Sequence, residues 1–203
     1  MKIKALGITA LLLFAPLSSQ AGIGLKAGLN FANVTSASAI NAGSRSGFVA
    51  GVFFGSPSMG LMGFRSEFLF SRQGYDFGSN TTTGSVQLDY IIMPSLMVIN
   101  LGKIAQIQAG AQVSYLLKAN VNGAGTGDPA TEKILDLFNR FDYGLAGGLE
   151  ITPFKGFLIG ARINLSFGNL YKDPSTFTGG TPSFFPSVDA KNNVFQLYTG
   201  YQF

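Results

Sequence analysis

Taken at every second position, residues 104–118 (IAQIQAGAQVSYLLK) divide into two chemically different sets. Ala105, Ile107, Ala109, Ala111, Val113, Tyr115 and Leu117 form one; Gln106, Gln108, Gly110, Gln112, Ser114 and Lys118 form the other. A helix would bring positions three and four apart together and mix the sets, whereas a strand sends successive side chains to opposite faces. The segment therefore predicts a two-faced strand, apolar on one side and carrying amides, a hydroxyl and a charge on the other.

The same sorting recurs along the chain. In the first such segment Ile23, Leu25, Ala27, Leu29 and Phe31 oppose Gly24, Lys26, Gly28 and Asn30; in the third Met62, Phe64, Phe68 and Phe70 oppose Arg65, Glu67, Ser71 and Gln73. The sixth sets Phe141, Tyr143, Leu145, Leu149 and Ile151 against Arg140, Asp142 and Glu150, and the seventh sets Phe157, Ile159, Ile163, Leu165 and Phe167 against Arg162, Asn164 and Ser166. The second segment is undecided, because Phe48, Val52 and Phe54 fall on one parity and Val49 and Phe53 on the other. Eight strands are predicted, over 23–35, 46–56, 61–76, 85–99, 104–118, 140–152, 156–170 and 192–203. The connections between them alternate. Pro57-Ser58-Met59-Gly60, 100–103 and Pro153-Phe154-Lys155 are tight turns, while 36–45, 77–84, 119–139 and 171–191 are longer and rich in Gly, Ser, Thr, Asn and Pro.

Residues 1–21 are set apart as a secretory signal peptide. Lys2 and Lys4 open it, the apolar stretch Leu6–Leu17 is too short to span a membrane as a helix, and Ser19-Gln20-Ala21 places small residues at a cleavage point. The mature chain, 22–203, is expected to be one domain. It retains 12 basic residues against 10 acids, a formal charge of +2, which leaves no basic field for nucleic acid. A mean hydropathy of +0.29, without any further apolar run of about 18 residues, points to strands facing lipid. Alternating long and short connections around eight two-faced strands predict an all-β, antiparallel, up-and-down transmembrane barrel of a Gram-negative outer membrane. Both termini and the short turns would lie in the periplasm. Parity alone does not choose the inner face, and a soluble periplasmic carrier with an apolar lumen remains an alternative.

The final strand places Phe195, Leu197, Tyr201 and Phe203 on one parity and ends on an aromatic residue. That is expected of a barrel whose closing strand is read by the outer-membrane assembly machinery. The segments GIGLKAGLNFANV, FRSEFLFSRQGYDF, LDYIIMPSLMV, FDYGLAGGLEI, GFLIGARINLSFGNL and KNNVFQLYTGYQF occur in this order. Together they resemble the PorT-like outer-membrane β-barrel family of Bacteroidota. The resemblance implies an eight-stranded outer membrane barrel and fixes no single biochemical activity.

Catalytic chemistry has little material. The chain has no Cys and no His, which removes the usual thiol nucleophile, imidazole base and soft metal ligands. Asp142 and Glu150 would sit roughly 27 Å apart along one strand at about 3.4 Å per residue, too far to cooperate. No catalytic, metal or cofactor site is expected. The glycines of 121–138 lack dinucleotide-fingerprint spacing and any βαβ setting.

Inward-facing Lys26, Arg65, Glu67, Asp89, Asp142, Glu150 and Arg162 are expected to form a salt-bridged structural network, since eight strands leave a lumen that side chains fill. Asp128, Pro129 and the spacing of Ile134, Leu137, Phe138 and Phe141 predict a short amphipathic helix, packed on the barrel rim or touching a partner. Phe177, Phe184 and Phe185 in 171–191 are further contact candidates. The expected partners are membrane lipids, the assembly machinery and an unidentified surface or envelope component. The expected role is structural or surface-binding; a passive channel is the alternative.

Overall fold

The computed structural model describes residues 22–35, 43–55, 61–79, 82–123, 135, 138–172 and 191–203. Eight strands form a closed barrel: β1 (Gly22–Thr35), β2 (Gly43–Gly55), β3 (Met62–Ser79), β4 (Thr82–Leu101), β5 (Ala105–Gly123), β6 (Phe141–Phe154), β7 (Phe157–Ser166) and β8 (Lys191–Gln202). Each strand pairs antiparallel with its neighbours in sequence, and β1 closes on β8. Closure leaves the wall without a free sheet edge around its circumference, the condition for strands to cross a lipid layer. Two of the tight turns rest on glycine: Gly102 and Gly156 have φ of +79° and +81°, a conformation that side chains with a Cβ disfavour.

The apolar parity faces outward. Leu25, Leu29, Phe68, Leu145, Leu149, Ile163 and Leu197 are exposed, while Lys26, Arg65, Glu67, Glu150 and Arg162 are buried inside. Aromatic residues cluster on the outer face at both levels, with Phe54, Phe64, Phe154 and Tyr201 near the short-turn end and Phe48, Tyr115, Phe141, Tyr143 and Phe167 toward the other. Such belts flank the hydrocarbon band of membrane barrels. The ambiguous β2 is oriented by pairing. Gly24 lies opposite Phe53, so Phe53 and Val49 point inward and Phe48, Val52 and Phe54 outward. A Cβ on Gly24 would lie 2.1 Å from Phe53 Cζ, so the glycine makes room for the ring inside a narrow lumen.

The strands are unequal. β3, β4 and β5 have 18, 20 and 19 residues, whereas β6 and β7 have 14 and 10. At the long-loop end β5 pairs with β6 only as far as Tyr115 and Phe141, but with β4 as far as Gly123 and Gly84. The β3–β5 sheet thus continues past the end of β6 by about 26 Å at ~3.3 Å per residue, with β2 beside β3 as far as Asp76. There the faces exchange character. Outward on β4, Ile99, Met97, Met93 and Ile91 give way to Asp89, Gln87 and Ser85; inward, Tyr90, Leu88 and Val86 are buried. Together with Leu69, Tyr75, Leu116, Ala119, Leu135, Phe138, Leu170 and Tyr171 they form one apolar core that caps the lumen.

Several expectations are revised. β5 runs to Gly123 and β7 ends at Ser166, short of 170. A bulge on β5 pairs Asp89 with Lys118 but Tyr90 with Leu116, making Leu117 the extra residue. Parity therefore slips after Leu116: Lys118, expected beside Gln112 and Ser114, is exposed outside, and Ala119 turns in. Residues 1–21, and most of the expected 128–141 helix, lie outside the described residues. What is described is the bond from Phe138 N to Leu135 O (3.2 Å) and a bridge between Phe138 and Tyr171.

Candidate functional site

The lumen near the short-turn end is filled by a connected charge network. β1 supplies Lys26, β3 Arg65 and Glu67, β5 Gln106 and Gln108, β6 Glu150, β7 Arg162 and β8 Tyr198. Their alternation with glycine is what fits them in. Gly160 lies where any Cβ would come within 2.4 Å of the Tyr198 ring, and a Cβ on Gly148 would press on the backbone of Arg162.

Arg162 and Glu67 form a two-pronged pair, Nη1 to Oε2 at 2.6 Å and Nη2 to Oε1 at 2.8 Å; Lys26 Nζ donates to Glu67 Oε1 at 2.7 Å. On the other side Arg65 Nη1 donates to both Glu150 oxygens, at 3.0 and 2.8 Å. Gln108 joins the two groups. Its carbonyl accepts from Arg162 Nη2 at 2.7 Å while its amide donates to Glu150 Oε2 at 2.8 Å. Glu150 also accepts from Gln106 and from the Tyr198 hydroxyl. Tyr198 lies between the cations, its ring centre 3.8 Å from Lys26 Nζ and 5.3 Å from the Arg162 guanidinium, and Phe53 backs Arg65 at 4.8 Å. These side chains are withdrawn from water, so pairing and charge-assisted hydrogen bonds offset a desolvation cost of several kcal/mol per ion.

Of the seven charges expected in this network, the structure brings together five: Lys26, Arg65, Glu67, Glu150 and Arg162. Asp142 stands apart, toward the long-loop end, hydrogen-bonded to the Ser166 hydroxyl and accepting from the backbone N–H of Gly168 at 3.0 Å. Asp89 is not in the lumen. It pairs in register with Arg72, between neighbours Ser71 and Tyr90 that point inward, and so faces out. Arg72 Nε and Nη2 donate to its two oxygens at 2.8 and 3.0 Å, and the guanidinium lies 5.2 Å from the exposed Phe48 ring. β4 is apolar on both parities, so alternation had no hold on it.

Sequence reasoning did not find Arg72, Gln108 or Tyr198. Gln108 and Tyr198 were nonetheless signalled by sharing parity with charged or polar inward residues. Phe138 is buried in the apolar cap, its ring 5.0 Å from that of Tyr171, and offers no contact surface. Phe203 is 76% exposed, edge-on to Tyr201 at 5.3 Å, with its N–H bonded to Ile23 O. Ile134, Leu137, Phe177, Phe184 and Phe185 lie outside the described residues. Among the described residues no three potential metal-ligating side chains converge.

Between the network and the apolar cap sits a belt of amides, among them Asn30, Gln112, Asn164, Asn192 and Gln196, enclosing a void of about 10 Å³ on one side. The lumen is therefore closed at three successive levels, by charges, amides and apolar side chains. What this geometry can do chemically is hold the wall in register.

Comparison with known proteins agrees with the architecture. No curated protein sequence matches the chain. Among solved structures, Neisserial surface protein A superimposes with a TM-score of 0.52 at 15% identity, covering 89% of this chain and 97% of that one. Ail, the attachment invasion locus protein of Yersinia pestis, gives 0.47 at 16% identity over 91% and 99% of the two chains. OprG of Pseudomonas aeruginosa gives 0.48 at 13% identity over 91% and 96%. At such identity the likeness to Neisserial surface protein A shows the fold alone. A sequence model of the outer membrane protein beta-barrel domain matches residues 15–172, most of the chain, and this protein belongs to that family.

Proposed function

We propose that this outer membrane barrel is a closed, non-catalytic scaffold whose role is structural or surface-binding and is exerted at its long-loop end. The supporting observation is the double closure of the lumen. A buried ion-pair network fills the short-turn half, and the apolar core around Leu88, Tyr75 and Phe138 caps the other. Nothing in that arrangement favours a diffusion path. The absence of His and Cys from the whole sequence, and the separate engagement of Asp142 and Glu150, support the non-catalytic reading. The short turns and both strand termini would face the periplasm, following cleavage of residues 1–21, and the aromatic end of β8 would be the segment read by the assembly machinery. Within its family the ordered motifs favour a PorT-like member. The surface partner would meet the projecting β3–β5 sheet and the segments beyond it.

Conductance tests this against a passive channel. The refolded mature chain in a planar bilayer is expected to give no sustained ion steps in 1 M KCl, on the order of the salt used for such recordings; a stable unitary conductance would overturn the closed scaffold. A soluble carrier is disfavoured by the broad exposed apolar face and by the filled lumen.

A further inference from the structure

We infer that the short-turn mouth of the barrel is a binding site for a phosphate-type oxyanion. Three observations converge there, and none depends on the surface role proposed above.

The first is charge. Lys26, Arg65 and Arg162 stand against Glu67 and Glu150 inside the sealed part of the lumen, each nearly or fully buried. Among the described residues the network therefore carries a formal +1 with no further acid in reach. An uncompensated buried charge is costly, and a bound anion is one way to offset it.

The second is the geometry of Arg65. A guanidinium offers five N–H donors in a planar fork. Those on Nη1 serve Glu150, and Phe53 covers one face. Nε and Nη2 have no partner among the described residues, and Arg65 lines a cavity of about 480 Å³ that opens at the turns. Glu150 itself, at the same floor, has its oxygens engaged by Arg65, Gln106, Gln108 and Tyr198, and its charge is matched by the paired guanidinium.

The third is the rim. Lys103, on the β4–β5 turn, and Lys155, on the β6–β7 turn, both line the cavity from successive connections and are exposed. A buried Arg fork below and two exposed ammonium groups above match an oxyanion held by one two-pronged contact and neutralised from the rim. The volume falls within the usual range of about 300–1,000 Å³ for small-molecule sites, so it admits a phosphate ester as well as the free ion. Exposed Leu101, Phe154 and Phe203 ring the same mouth, at the level where lipid headgroups meet water. The phosphate can thus come from solution or from a phospholipid headgroup.

The test uses the full mature chain, 15N-labelled and refolded. In non-ionic maltoside micelles it is titrated with inorganic phosphate at constant ionic strength; in nanodiscs it is compared between zwitterionic and phosphatidylglycerol-containing bilayers. Saturable amide shifts at Gly102, Gln106 and Gly156 are expected in at least one arm, and the arm that shows them identifies the source. The double variant Lys103→Ala/Lys155→Ala removes only exposed rim charges, and its affinity is expected to fall at least tenfold with unchanged folding. Absence of saturable shifts in both arms, or undiminished binding by the double variant, would overturn the site.

Discussion

The two halves of this lumen are built on opposite solvent logic. Near the short turns, apolar side chains face out and charges face in; along the projecting β3–β5 sheet, Arg72, Asp89 and Lys118 face out and Tyr75, Leu88 and Leu116 face in. One continuous strand, β4, takes part in both. The difference teaches where lipid ends. A strand's outer residues are apolar only where the outer medium is hydrocarbon, and once the sheet enters water the apolar side chains must find one another inside. The lower half is then held by electrostatics among buried side chains, and the upper half by an ordinary hydrophobic core.

The largest expected effect tests the lower half. Glu67→Gln leaves Lys26 and Arg162 buried with no carboxylate between them and raises the network's formal charge to +2. Breaking a buried pair from one side costs about 3–5 kcal/mol. Urea unfolding in lipid vesicles, followed by the shift in gel mobility between folded and unfolded forms, is expected to show a loss of that size. A loss below ~1 kcal/mol, the figure for exposed pairs, would mean that water reaches the lower lumen.

The same substitution at two heights tests the boundary itself. Leu149, exposed midway between Tyr143 and Phe154, sits in the apolar band; Asn120, on the outer parity of β5 above the bulge, sits beyond it. Leu149→Arg is expected to cost about 2–4 kcal/mol and Asn120→Arg about 0–1 kcal/mol in the same assay. Equal penalties would erase the proposed division between lipid and water. Packing within the lower half supplies a smaller effect. Gly24→Val would drive a side chain into the Phe53 ring and cost about 1–3 kcal/mol, much of which Phe53→Leu is expected to recover. No recovery would place the strain in the backbone instead.

How far the fold was legible follows from these same forces. Strands β1, β3, β6 and β7 alternate because lipid and a polar lumen meet across a single wall, so parity alone orients them. β2 defeated parity because its inner face is apolar too, with Phe53 filling space left by Gly24 on β1, a cross-strand complementarity that sequence order does not display. β4 defeated it because its inner face is apolar along its length while its outer face changes medium at Asp89. The slip at Leu117 is a single extra residue, invisible until the register with β4 is known. The candidate site was legible as a set of inward charges but not as a circuit. Gln108 and Tyr198 join the ion pairs, and neutral residues give no charge signal to follow.

The finest probe is the Arg72–Asp89 pair, because its worth depends on which medium surrounds it. The two side chains are 39% and 8% exposed and sit on the outer face, with Phe48 below them. If the level of Asp89 is already in water, the pair is a surface ion pair with good two-pronged geometry. A double-mutant cycle with Arg72→Ala and Asp89→Ala should then yield a coupling of about 0.2–1 kcal/mol that shrinks as salt is raised. If the pair lies in hydrocarbon, each single variant strands a charge there, and the coupling should reach several kcal/mol and ignore salt. The Glu67–Arg162 cycle supplies the reference for the second behaviour within the same molecule. We expect the two cycles to differ both in size and in salt response, since only then does the exchange of faces along β4 mark the edge of the membrane.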